Sequence, residues 1–103
     1  MPTFVLMTKL QSELMGETGD RRAAGRAWLK KVKAVCPEVK WISHYAILGR
    51  YDFMDIYEAP DSEAAHRVSM LSRSQGAIEA ESWQALPYER FLELFDEVVQ
   101  QGS

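Results

Sequence analysis

Cysteine is nearly absent: Cys36 is the one thiol in the chain, so no internal disulfide can form and a reducing compartment is the expectation. It stands beside Pro37 at the end of a predicted helix, where the helix dipole disfavours a thiolate, so it reads as a packing residue and not as a nucleophile. No apolar run is long enough to span a bilayer, and the chain starts without a charged leader or an apolar signal core. A cytoplasmic protein with no membrane partner is expected. A glycine-rich phosphate loop is missing, and Lys and Arg are scattered within a net charge of −3. The densest basic run, Arg21 to Lys33, alternates with Ala, Trp, Leu and Val and reads as a solvated helix face, so nucleic acid is not an expected partner. The two histidines, His44 and His66, fall on different elements without metal-ligand spacing, so neither a metal nor another cofactor is expected.

What the chain has is apolar surface. Within 103 residues it is 47% hydrophobic, with three Trp and four each of Tyr and Phe. That length implies one domain over residues 1–103, and a domain of this size buries well under ~70% of its unfolded surface. So much apolar material asks for a dense core and a partner surface together.

Thr3 to Thr8 carries apolar residues on both faces and reads as a central strand. A looser stretch, Gln11 to Gly19, precedes a helix capped by Asp20 and running to about Val35, with Ala24, Trp28, Val32 and Val35 on one face. Trp41 to Leu48 and Phe53 to Ala59 are aromatic and β-branched, and form a tight hairpin. Asp61 or Ser62 caps a second helix with Ala64, Ala65, Val68 and Leu71 buried, and Gly76 ends it. Ala77 to Leu86 makes a fourth strand. Pro87 opens a last helix with Phe91, Leu92, Phe95, Val98 and Val99 on its apolar side. The order β-α-β-β-α-β plus a C-terminal helix predicts an α+β, ferredoxin-like fold: a four-stranded antiparallel sheet with helices on one face. The bare face must be covered, and a second copy is the expected cover, giving a homodimer or higher homo-oligomer.

The run Tyr45-Ala46-Ile47-Leu48-Gly49-Arg50-Tyr51-Asp52-Phe53, the following Ile56 to Asp61, and the opening Pro2 to Leu10 resemble the GYD-domain family. Ala85-Leu86-Pro87 followed by Phe91 fits the same pattern, so the resemblance extends from Pro2 to about Phe95. Gly49, Tyr51 and Asp52 carry the Gly-x-Tyr-Asp signature. The resemblance implies the dimeric α/β-barrel group, in which two ferredoxin-like protomers press sheet against sheet. That group includes cofactor-free enzymes, haem-handling proteins and sensing modules, so the fold does not fix a function. Read from the residues, the signature is a turn: Gly49 supplies a positive φ, Asp52 caps, and Tyr51 projects at the tip.

Pairing the hairpin through Leu48 and Phe53 sets Ala46 against Asp55 and His44 against Tyr57. Ile42, His44, Ala46, Leu48, Phe53, Asp55 and Tyr57 then share one face. Trp41, Ser43, Tyr45, Ile47, Met54 and Ile56 share the other, which is the more apolar and is expected to meet the helices. His44, Asp55 and Tyr57 form the candidate catalytic set: Asp55 fixes the imidazole, His44 is the general base, and Tyr57 positions a ligand. Trp28, Trp41, Tyr45 and Trp83 are candidate ligand-binding residues around a cavity. Three functions fit this pattern: a cofactor-free enzyme on a small organic substrate, a ligand-sensing module without catalysis, and a structural assembly whose polar trio serves a subunit interface.

Overall fold

The computed structural model describes residues 1–11 and 21–102. The expected Asp20 cap and the looser stretch after Gln11 lie outside the described residues. Four strands, β1 (Thr3–Leu10), β2 (Lys40–Ala46), β3 (Phe53–Glu58) and β4 (Ala77–Ala85), alternate with α1 (Arg21–Val35), α2 (Ser62–Ser74) and the terminal α3 (Tyr88–Gly102). The sheet is antiparallel in the order β2-β3-β1-β4, with β1 paired on both sides as its two-faced apolar pattern requires. This is the α+β ferredoxin-like arrangement.

Helix α2 starts where Asp61, in extended conformation, accepts the Ala64 N–H at 2.9 Å, with Glu63 in the first turn and Arg73 in the last complementing the dipole. It ends at Gly76, whose φ of 112° is readily adopted only by glycine. Its buried residues, Ala64, Ala65, Val68 and Ser72, are all small, which lets the helix lie close above the sheet. Ser72 takes the place expected for Leu71, donating to the Val68 carbonyl at 2.9 Å. Phe4, Leu6, Tyr57 and Ala80 meet these residues from the sheet side to form the core. On α1 only Val32 is buried; Trp28 is half-buried, whereas Ala24 and Val35 are exposed against expectation.

The hairpin differs from the expected tight turn. Residues 47–52 form the connection, closed by a bond from the Ile47 N–H to the Asp52 carbonyl at 2.9 Å. The register is displaced by two residues, so Ala46 faces Phe53 and His44 faces Asp55 directly. The longer connection removes the need for a left-handed residue, and Gly49 does not have a positive φ. Asp52 also does something other than cap the turn. Its carboxylate accepts the Leu10 N–H at 2.8 Å and its own N–H donates to the Thr8 carbonyl at 2.8 Å, fastening the hairpin to β1.

The assignment of faces is reversed. Phe53, Asp55 and Tyr57 lie opposite Thr8, Leu6 and Phe4 of β1, all buried, so the more polar set is the one under the helices. A bulge between Trp41 and Ser43 brings Trp41 over to this side, opposite Tyr57, and leaves Ile42 exposed. The other face carries Ser43, Tyr45, Met54, Ile56, Val5 and Trp83, with no helix over it among the described residues. Helix α3 does not cover that face either among the described residues: none of its residues is buried, and Phe91, Leu92, Phe95, Val98 and Val99 are all exposed. The projecting helix accounts for a radius of gyration of 16.3 Å, against about 13 Å for a compact domain of this length.

Candidate functional site

Between α1 and the helix-side face of the sheet lies a cleft of about 770 Å³. Its aromatic wall is built by local geometry. The β2 bulge places Trp41 flat against Tyr57, with ring centroids 5.1 Å apart and planes 6° from parallel. Trp28, projecting from α1, meets Trp41 edge-on at 5.1 Å and donates its indole N–H to Ser72 at 3.2 Å. Phe53 completes the wall, with the His44 ring stacked on it at 5.3 Å.

Asp55 is 1% exposed in the middle of β3, and one oxygen of its carboxylate is shared by two side chains. The Trp41 indole N–H reaches Oδ1 at 3.2 Å, and His44 Nδ1 is hydrogen-bonded to the same oxygen. Burial pushes the Asp55 pKa up, opposed first by His44 and then by Trp41. The two partners meet part of the solvation that the carboxylate has lost, and the balance remains unfavourable to its charge. A neutral His44 donating from Nδ1 to Asp55 keeps a lone pair on Nε2, which can accept a hydrogen bond or a proton. The His44 side chain is 54% exposed, so a molecule entering from solvent can reach it.

Of the residues expected at a site, His44, Asp55, Trp28 and Trp41 line this cleft. Tyr57 does not. It sits opposite Trp41 and is fully buried in the core, stacked on Phe4 at 5.5 Å, with its hydroxyl bonded to Ser82 at 2.7 Å. Burial pushes its pKa up to about 12, with the Ser82 bond acting in the opposite direction. Tyr45 and Trp83 belong to the bare face and are half exposed. There Trp83 meets Tyr51 edge-on at 6.1 Å and both donate to Glu81, so Tyr51 is folded onto the sheet and does not stand free at the tip. Cys36 is buried and its pKa is raised, first by that burial and then by Glu38.

Residues that sequence reasoning left out of the site are Arg21, Arg22, Arg26 and Gly25 of α1, together with Phe53 and Ser72. Gly25 and Trp28 fall on the inner side of α1 at helical spacing, and the arginines flank them. That interleaving was the available signal. No group of His, Cys, Asp and Glu suited to a metal ion occurs among the described residues. No helix among them is long and apolar enough to cross a membrane.

The fold and the cleft together define a ferredoxin-like α+β protein with a half-open aromatic site beneath its first described helix. The GYD domain model matches residues 4–95, and the chain belongs to that family. A curated relative from Thermus thermophilus, the "glutamine synthetase and cystathionine beta-lyase binding protein", is 27% identical over 90 residues, spanning 84% of this chain and 90% of that protein. Two solved structures share the fold. FFRP-DM1 superposes with a TM-score of 0.55 at 17% identity, covering 84% of this chain and all of that one. TTHA0845, also from Thermus thermophilus, does so with 0.55 at 20%, covering 84% and 95%.

Proposed function

We propose that this chain is a homo-oligomeric binding protein that takes a small organic molecule into the cleft between α1 and the sheet. One observation carries the reading: a carboxylate buried to 1% exposure is held at the cleft by two side chains that also line it. A mid-strand carboxylate is costly to bury, and a purely structural sheet does not need one there. In a catalytic version of the same site His44 is the general base, Asp55 orients it, and no cofactor takes part. Tyr57 has no role in that chemistry, being sealed in the core.

Association follows from the apolar surface left open. The whole chain, 1–103, acts as one unit whose bare sheet face and α3 meet a second copy, in the manner of a dimeric α/β-barrel. Phe91 and Phe95 stand 6.1 Å apart on α3, with Tyr88 5.9 Å from Phe91, a continuous aromatic ridge. A second reading is favoured by the name of the Thermus relative: the open ridge engages a different protein, and the cleft regulates that contact.

Native mass spectrometry of the full chain, purified without denaturation, tests both parts. A dimer or larger homo-oligomer carrying an organic mass that Trp41→Ala releases is expected. A ligand-free monomer at micromolar concentration, with no response of tryptophan fluorescence to any small molecule in a broad library, would overturn the reading. Phe91→Ser with Phe95→Ser should shift the oligomer to monomer while leaving the cleft's ligand in place.

A further inference from the structure

The lining of the cleft carries an asymmetry of charge that identifies the class of molecule it takes. On the side of α1, three arginines, Arg21, Arg22 and Arg26, are among its lining residues, and the Arg21 guanidinium lies over Phe53 of the opposite wall. Among the described residues, the charged and titratable groups facing them from the sheet are Asp55 and His44, while Thr8 of the sheet and Ser72 and Gln75 at the end of α2 are neutral. Asp55 is directed to His44 and Trp41 through its Oδ1, so it offers a cationic ligand little. The Arg21 guanidinium carbon lies 5.5 Å from the centroid of Phe53, and the His44 ring is stacked on that same Phe53 at 5.3 Å. A cationic group and a hydrogen-bonding ring thus converge around one aromatic side chain, beside an apolar wall of Trp28 and Trp41. Gly25, on the inner side of α1, has open space where a Cβ would stand, so no side chain blocks the wall at that position.

We infer that the cleft binds a small amphipathic anion: a carboxylate on a compact aromatic or branched apolar body, its charge toward Arg21 and Arg26 and its body against Trp28 and Trp41. This rests on the cleft being a ligand site, and names the chemistry of the ligand. Guanidinium groups pair with a carboxylate through two parallel N–H bonds, which gives direction as well as attraction. A volume of about 770 Å³ falls within the range of small-molecule pockets and accommodates a ligand of this kind. Both arginines are exposed, so solvent screens much of the attraction. Preference for an acid over its neutral isostere should therefore be about tenfold, equivalent to about 1.4 kcal/mol.

The test uses three probes of one shape, 4-phenylbutyrate, 4-phenylbutyramide and 4-phenylbutylamine, titrated into the ¹⁵N-labelled full chain. The three indole N–H signals report position, because Trp28 and Trp41 line the cleft and Trp83 lies on the opposite face. The acid should move the Trp28 and Trp41 signals and leave Trp83 still, with a Kd about tenfold below that of the amide and lower again than that of the amine. The double variant Arg21→Gln with Arg26→Gln, which keeps helix-forming residues, should bring the acid to the amide's affinity and leave the amide within twofold of its original value. Equal binding of acid and amide, tighter binding of the amine, or an acid preference that survives in the double variant would each overturn the anion inference and leave the cleft standing as a site. Movement of Trp83 alone, or no movement with any probe to millimolar concentration, would overturn the cleft reading and the inference with it.

Discussion

Replacing Asp55 by Asn should make this protein more stable at neutral pH. Asn has nearly the same shape and keeps an oxygen that can accept from Trp41 and His44, but it carries no charge to desolvate. Burying a carboxylate has an effective penalty of several kcal/mol. Two charge-assisted hydrogen bonds return roughly 1.5–3 kcal/mol each when geometry is good. The return from His44 must be discounted, since its side chain is 54% exposed and solvent screens it. The direction of the net effect comes from Asp55 itself: its pKa is raised, so the folded protein favours the neutral form more than the unfolded chain does. A gain on the order of 1 kcal/mol for Asp55→Asn at pH 7 follows, worth roughly 4–8 °C in Tm for a domain of about this size. Because the folded-state pKa lies above the ordinary 3.8, the stability linked to this proton is present below that value and is lost as pH rises through the raised one. The advantage of Asp55→Asn should therefore grow as pH rises above 3.8 toward neutrality and vanish near pH 3.8 and below. Urea unfolding followed by tryptophan fluorescence at several pH values, at fixed protein concentration, measures this directly. A variant less stable than the parent at pH 7, or an advantage that grows on acidification, would refute the reasoning and make the carboxylate a stabilising part of the core.

Three further outcomes are expected. Gly25→Ala should raise stability by about 0.5–1 kcal/mol in thermal unfolding, since Gly25 lies inside a helix, has no positive φ and has open space around a new Cβ. Tyr57→Phe should lower stability by about 1 kcal/mol through loss of the Ser82 hydrogen bond, while Ser82 keeps its 2.7 Å contact with Ser69; binding in the cleft, read from the Trp41 indole signal, should be unchanged. Asp52→Ala should cost roughly 1–3 kcal/mol by leaving the Leu10 N–H without its 2.8 Å acceptor, and hydrogen exchange at Leu10 should accelerate ahead of global unfolding. An Asp52→Ala variant with unchanged Leu10 exchange would mean that the signature aspartate does not latch the hairpin to β1.

Much of the architecture was legible because it depends on local signals. The strands, the helix bounded by Asp61 and Gly76, and the pairing of β1 on both sides follow from apolar period, capping chemistry and burial on two faces. The candidate pair His44 and Asp55 was legible too, as a charged residue in mid-strand beside an imidazole within reach. The register was not: a two-residue displacement keeps every side chain on its face, so alternation cannot detect it. Nor was the bulge at Ile42 visible, and it alone brings Trp41 opposite Tyr57. From the sequence Tyr57 reads as a site residue because it shares a face with His44 and Asp55, whereas in the fold its neighbours Phe4 and Trp41 close over it.

The amino-acid order alone determined the sequence and kind of the described elements, and it determined that apolar surface would exceed what one sheet and two small helices can cover. Which face the helices chose was decided only in three dimensions. Period-two alternation divides a strand into two sets without saying which is inside. The polar set lies inside here with Asp55 bonded to Trp41 and His44, which the β2 bulge and the register bring to it and which offset part of the cost of burying it.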